Sequence, residues 1–260
     1  RGLVGSEMCI RDRFMYKATG WGDAYPRYDA QNNKSTKTAA GWSQAKPVYL
    51  LSDKATIWAY YPYNQAVADG TKVPVPINAG TSVDYMWGKS TNQVSVIETD
   101  AVIPMKHALS QLVIRLKVSP EYHNDGNLTS AKLKSKAAKF GTSGTMNLND
   151  NGRIIFSPTS TELSWTPNTT IPAQGNPSVD FAAAIYPMSL ASGEVSMEVV
   201  IDGATYTYSI PQISWEAGKR YIYSITMRSN DAEIGGENGQ SVTIEPWGSS
   251  ESDVTLVPVK

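Results

Sequence analysis

The chain has 260 residues, and its 23 Lys plus Arg against 24 Asp plus Glu give a formal net charge of −1. That length can bury one large core or two modest ones, while the even charge excludes the one-sided basic surface of a nucleic-acid or polybasic membrane binder. Tyr, Thr, Ser and Val are plentiful and Gly and Pro punctuate throughout, as in short strands joined by turns, and no apolar run approaches the roughly 18–20 residues of a membrane-crossing helix.

In chain order, the opening Arg1–Arg13 resembles a translated sequencing-adapter fragment rather than protein-coding sequence, the alternative being a genuine flexible N-terminus. It carries Cys9, the single cysteine. With residues 1–13 set aside, thiol catalysis, disulfides and thiolate metal sites drop out. Residues 14–46 are polar and turn-rich, and Asn32-Asn-Lys-Ser-Thr36 reads as loop. Strands are expected at Val48–Leu51 and Ala55–Pro62, where Pro62 ends the ladder for want of an N–H. Val73-Pro-Val-Pro-Ile77 is an edge or extended segment. Asp84–Gly88 and Gln93–Ile97 complete a first unit, with a boundary near residues 100–104.

The clearest strand begins at Gln111. Leu112, Ile114, Leu116 and Val118 share one face, and Gln111, Val113, Arg115 and Lys117 the other. Lys132-Leu-Lys-Ser-Lys136 fits helical spacing too, but as a strand its lysines point outward and would guard a sheet edge. Hairpins are expected around Asp150-Asn-Gly152 and Asp202-Gly203, whose residues accept the positive φ of tight turns. Arg220–Met227 forms another strand, and Ser157–Asp180 and Ser229–Gly239 are long irregular stretches. Strands this closely spaced, with no helices between them, predict an all-β chain of two antiparallel sandwiches spanning residues 14–103 and 104–260.

No catalytic or metal constellation stands out. His107 and His123 are the only histidines, the first read as packed or hydrogen-bonded and the second as part of a turn. No Gly-x-Ser-x-Gly elbow exposes a nucleophile. Asn147–Gly152 begins like a calcium loop, but Pro158 stands where the bidentate Glu should be, so the hairpin reading takes precedence. The expectation is therefore a non-enzymatic protein with no cofactor and no metal. Tryptophans at turns or strand ends, Trp42 and Trp87 among them, could stack on sugar rings. The plainer alternative is that they pack over sheet ends.

Six segments, taken in order, resemble the fimbrillin family of Bacteroides-type bacteria. They are Ala59-Tyr-Tyr-Pro-Tyr63, Asp84-Tyr-Met-Trp-Gly88, His107–Leu116, Ala184-Ile-Tyr-Pro-Met188, Ala217–Thr226 and Ile244-Glu-Pro-Trp247. The resemblance implies two tandem transthyretin-like β-sandwich domains in an exported, outer-membrane lipoprotein of the cell surface. The lipid anchor would be its only membrane contact. It also implies a fimbrial (pilus) subunit or adhesin that partners other fimbrial subunits by strand exchange and meets a host or bacterial surface ligand. A protease would remove an N-terminal strand, and a neighbour's strand would fill the groove, lined by segments such as Ala55–Tyr61 and Gln93–Ile97.

This sequence departs from that pattern in lacking the signal peptide, the lipobox cysteine and the first strand. Arg27 or Lys37 could serve as the cleavage point. Near the C-terminus, Val254 and Leu256 alternate with Thr255, Val257 and Val259; this segment is either a donor strand or the last strand of the second sandwich. The alternative function is a glycan-binding outer-membrane lipoprotein that uses Trp42 and Trp87.

Overall fold

The computed structural model describes residues 10–17, 20–23, 25, 31–39, 41–77, 83–171, 178–228, 232–235 and 242–247. The chain is all-β. Its first strands are β1 (Ile10–Lys17), β2 (Gln31–Thr38), β3 (Gly41–Gln44), β4 (Ala55–Tyr61), β5 (Val73–Pro76), β6 (Met86–Lys89) and β7 (Met105–His107). Then come β8 (Ser110–Val118), β9 (Gly126–Ser135), β10 (Ser143–Asn147), β11 (Arg153–Phe156), β12 (Glu162–Trp165), β13 (Thr169–Ile171) and β14 (Val179–Ile185). The last are β15 (Met188–Leu190), β16 (Val195–Ile201), β17 (Ala204–Ser209), β18 (Ile213–Trp215), β19 (Lys219–Met227), β20 (Ala232–Gly235) and β21 (Thr243–Pro246).

An antiparallel six-stranded sheet runs β3-β2-β1-β4-β6-β7. Successive residues of a strand face opposite ways. One face of this sheet therefore presents Phe14, Tyr16, Trp58 and Tyr60, the other Met15, Ala55, Ile57 and Ala59. Both faces are covered. Over the first lies a three-stranded sheet, β11-β10-β5, which contributes Val73, Val75 and Met146. Over the second lie irregular segments carrying Val48, Leu50, Leu51, Val94, Ala101 and Ile103.

Several sequence expectations change here. Residues 14–46 are not loop: they hold the second half of β1 and all of β2 and β3. The polar β2 is stable because main-chain pairing on both sides does not depend on side-chain hydrophobicity, and its buried Asn33 is satisfied. Asn33 Nδ2 donates to the Lys46 carbonyl at 2.7 Å, and Lys46 N–H donates to Asn33 Oδ1 at 3.2 Å. Residues 10–13, set aside with the terminal tract, form the first half of β1. Conversely, Val48–Leu51 and Gln93–Ile97 are not strands; Val48, Leu50, Leu51 and Val94 serve as cover, while Tyr49, Val96 and Ile97 are exposed. The Val96 N–H donates to the Leu51 carbonyl, joining the two segments, and an Ala55–Val94 bridge ties them to β4. The Ser157–Asp180 stretch contains β12 and β13.

Further along, two sheets pack face to face over one core. One runs β12-β9-β16-β17 with β13 also on β9; the other runs β14-β8-β19-β20 with β21 also on β19. Leu112, Ile114, Leu116 and Val118 of β8 meet Leu133, Met197, Val199 and Ile201 across the gap, as the alternation predicts. One pairing departs from the antiparallel rule: β8 and β19 run parallel. Lys132 and Lys134 lie on an outward face, but β9 is an interior strand, so they guard no edge. Instead they pair with Glu162 and Glu198 at 3.3 and 2.7 Å. Both expected hairpins form, with φ of 50° and 68° at Asn151 and Gly152, and 50° and 80° at Asp202 and Gly203.

The β10–β11 hairpin connects the two regions. Residues 143–156 follow β8 and β9 in the chain, yet β10 pairs with β5, and Met146, Leu148, Ile154 and Phe156 pack with Trp58 and Tyr60. Tyr186, just past β14, sits in the same cluster, and its hydroxyl donates to the Val75 carbonyl at 2.5 Å.

Candidate functional site

β1 is the segment whose placement bears most on function. It lies inside the six-stranded sheet, paired with β2 on one side and β4 on the other, with Phe14 opposite Trp58 and Met15 opposite Ile57. Phe14 and Met15 are each 1% exposed, one on each face. Burying side chains of this size contributes about 1.5–3 kcal/mol apiece. Trp21 follows β1 and folds back over it, 4.3 Å from the Tyr16 ring and 5.1 Å edge-on from Trp58. Burial, with Asp69 nearby, pushes the Tyr16 phenol above its usual range. Past the strand, the Lys17 N–H donates to the Asp23 carbonyl at 2.9 Å, and the two side chains form a 3.7 Å ion pair.

The two cleavage candidates differ in what surrounds them. Lys37 is exposed but held in β2, opposite Trp42 of β3. Arg27 lies outside the described residues, in the connection between β1 and β2. The donor-strand candidates Val254, Leu256, Val257 and Val259 are likewise outside them. Of the two segments expected to line a groove, Ala55–Tyr61 is β4 and borders β1 directly. Gln93–Ile97 lies over the Met15 face without pairing to β1.

The structure does not bring Trp42 and Trp87 together. Both are half-buried in the six-stranded sheet, but Trp42 packs on the Met15 face and Trp87 on the Phe14 face. Strands β2, β1 and β4 lie between theirs, a separation of roughly 19 Å at about 4.8 Å per strand. Lys106 Nζ stands 5.6 Å above the Trp87 ring. Trp165 and Trp215 are core residues. Trp247 stacks on His107 at 4.6 Å and 8°, while His107 Nδ1 meets Asp84 Oδ1 at 2.9 Å, so His107 is packed and hydrogen-bonded. A cleft beside β1, lined by Arg13, Met15, Gln44, Val48, Ile57 and Val94, has a volume of about 20 Å³, room for a water and not for a sugar. Among the described residues no three His, Cys, Asp or Glu converge as a metal site, and no helix is long and apolar enough to cross a membrane.

The family model described as "Fimbrillin-like" matches residues 11–247. The chain belongs to the fimbrillin-like family. No curated protein matches the sequence. Among solved structures, a candidate cell adhesion protein from Bacteroides ovatus is similar with a TM-score of 0.68 at 18% identity, over 94% of this chain and 88% of that one. A second, from Bacteroides uniformis, gives 0.65 at 17%, over 92% and 91%. A fimbrial protein from Bacteroides vulgatus gives 0.56 at 16%, over 92% and 93%. At these identities the likeness is one of fold.

Proposed function

We propose that this fimbrillin-like chain is a non-enzymatic subunit or adhesin of a cell-surface fimbrium, exported as a lipoprotein and assembled by β-strand exchange. The observation that carries this reading is the position of β1. It is an interior strand, so its removal leaves the main-chain groups of both β2 and β4 without partners and uncovers apolar positions on both faces. An incoming strand relieves both deficits at once. Cleavage at Arg27, rather than at the ladder-bound Lys37, would free β1. The alternating Val254, Leu256, Val257 and Val259 of a neighbour have the pattern to replace it.

We propose further that the chain is two transthyretin-like domains, residues 14–103 and 104–260, with the 143–156 hairpin lent across the division. Glycan stacking on Trp42 or Trp87 is a second reading, supported by their partial exposure. On opposite faces, each would act alone.

The test is limited trypsin treatment of the full chain, with the cut mapped by mass spectrometry and the products viewed by electron microscopy. Filaments or ladders that disappear in Arg27→Ala, or on deletion of residues 253–260, are the expected result. A cut at Arg27 that releases β1 yet leaves monomers would overturn the assembly reading. Binding on a glycan array that is lost in Trp42→Ala or Trp87→Ala would then favour the second.

A further inference from the structure

Several sheet edges among the described strands are blunted against pairing. β5 carries Pro74 and Pro76, β7 is three residues long with Lys106 at its centre, and β11 opens with Arg153. Asp180 of β14 is tied to Arg115 at 2.8 Å, and β21 ends in Glu245 and Pro246. β17 has none of these devices and, at six residues, is longer than β3, β13, β15 and β18, the other described edges without charge or proline. Its sequence, Ala204-Thr-Tyr-Thr-Tyr-Ser209, contains no charge and no proline, and its residue types favour strands. Among the described strands it pairs only with β16.

The Asp202-Gly203 turn fixes which way its main chain points. Ile201 and Ala204 flank that two-residue turn as a hydrogen-bonded pair, so Ala204, Tyr206 and Tyr208 direct their N–H and C=O groups to β16. Thr205, Thr207 and Ser209 direct theirs outward, and their side chains are exposed. Tyr206 and Tyr208 point the other way, half-buried against the core.

We propose that this edge pairs antiparallel with the β17 of a second copy about a two-fold axis through Thr207. That register matches Thr207 with Thr207, Thr205 with Ser209 and Tyr206 with Tyr208. Every outward-directed N–H then meets an outward-directed C=O. Opposed residues also share a face, so hydroxyls meet hydroxyls on the wet side and tyrosines meet tyrosines on the core side. A shift of one residue would oppose exposed threonines to core-facing tyrosines, so the strand is self-complementary in this register. Five residues a side make a small interface, below the roughly 1,200 Å² of stable complexes, so the contact is a weak one that gains when copies are held close together. It involves neither β1 nor the C-terminal segment, so it is independent of strand exchange.

The test uses the full, uncleaved chain, with Cys9→Ser to remove the native thiol. Sedimentation equilibrium up to about millimolar protein is expected to show a concentration-dependent dimer, and Thr207→Cys is expected to oxidise to a disulfide joining the two positions 207, since hydrogen-bonded pairs sit about 5.5 Å apart between Cα atoms. Thr207→Pro removes the outward N–H in both copies and is expected to weaken the dimer by about tenfold or more with melting unchanged. If that variant does not fold, Thr207→Lys sets like charges opposite each other and serves the same purpose. A chain that stays monomeric and forms no disulfide at position 207 would overturn the proposal. So would a dimer that Thr207→Pro and Thr207→Lys leave unchanged.

Discussion

β8 and β4 are both central strands, yet they are held in different ways. β8 buries Leu112, Ile114, Leu116 and Val118 in a core closed by one facing sheet, while its other face carries Arg115 and Lys117 beside a single buried apolar residue, Val113. β4 is buried along both faces, under a borrowed hairpin on one side and irregular segments on the other. The first arrangement draws its stability from a pattern inside the strand. The second depends on cover that comes from distant parts of the chain, so that region responds to changes made far away in sequence.

The sharpest way to break the comparison is to damage the core under β8 and ask whether β4 feels it. Trp215 is 1% exposed and its Nε1 donates to the Tyr223 hydroxyl at 3.3 Å. Trp215→Ala is expected to cost about 3–5 kcal/mol in urea unfolding. If the hairpin joins the regions, both should unfold in one transition; two separate midpoints would show that the six-stranded sheet stands without it. A smaller effect is expected at the hairpin itself. Gly152 has φ of +68°, and a Cβ there would lie 2.0 Å from Trp87 Cδ1. Gly152→Ala is expected to cost about 1–3 kcal/mol and to change Trp87 fluorescence; a neutral result would mean the turn is not a coupling point.

Tyr186→Phe removes the bond to the Val75 carbonyl and is expected to cost about 1–2 kcal/mol. The same phenol offers a pH test. Burial, then the neighbouring Tyr85, pushes it from 10.0 up to about 12. Between those values the folded chain holds a proton that the unfolded chain has lost. Stability is therefore intact below pH 10 and falls as pH rises from 10 toward 12. Tyr223 and Tyr122, both also raised chiefly by burial, act in the same direction. Alkaline unfolding curves should show this decline, with Tyr186→Phe flattening part of it; identical curves would remove Tyr186 from the account. The smallest effect belongs to the outward face of β8. Breaking the exposed Arg115–Asp180 pair with Arg115→Met is expected to change stability by less than about 1 kcal/mol, and a larger loss would make that face more than a solvated one.

The difference between the two regions also decides what the sequence makes legible. β8, β16, β17 and β19 announce themselves because apolar or aromatic residues recur at every second position on the core side, and the Asn151-Gly152 and Asp202-Gly203 turns mark where hairpins reverse. β2 is hidden because Gln31–Thr38 contains no apolar residue; its neighbours' main chains make it a strand. Val48–Leu51 and Gln93–Ile97 mislead in the opposite sense, being apolar enough for strands while serving as irregular cover. For the candidate site, six ordered motifs indicate the family; four mark strand ends and turns, and two, His107–Leu116 and Ala217–Thr226, run into the alternating β8 and β19. That Trp42 and Trp87 face opposite ways depends on strand order and parity within one sheet, which local sequence does not encode.

The hairpin spanning 143–156 has a kinetic corollary. A chain made from its N-terminus presents β1 through β7 first, but β5 alone covers only part of the Phe14 face, which stays incompletely capped until β10 and β11, and then Tyr186, have emerged. The part that appears earliest is thus the part that matures late, since long loops must close before their contacts form. Throughout that interval Phe14, Trp58 and Tyr60 are open to whatever other polypeptide is near, and a chaperone or a sister chain that reached them would meet the surface at its most receptive.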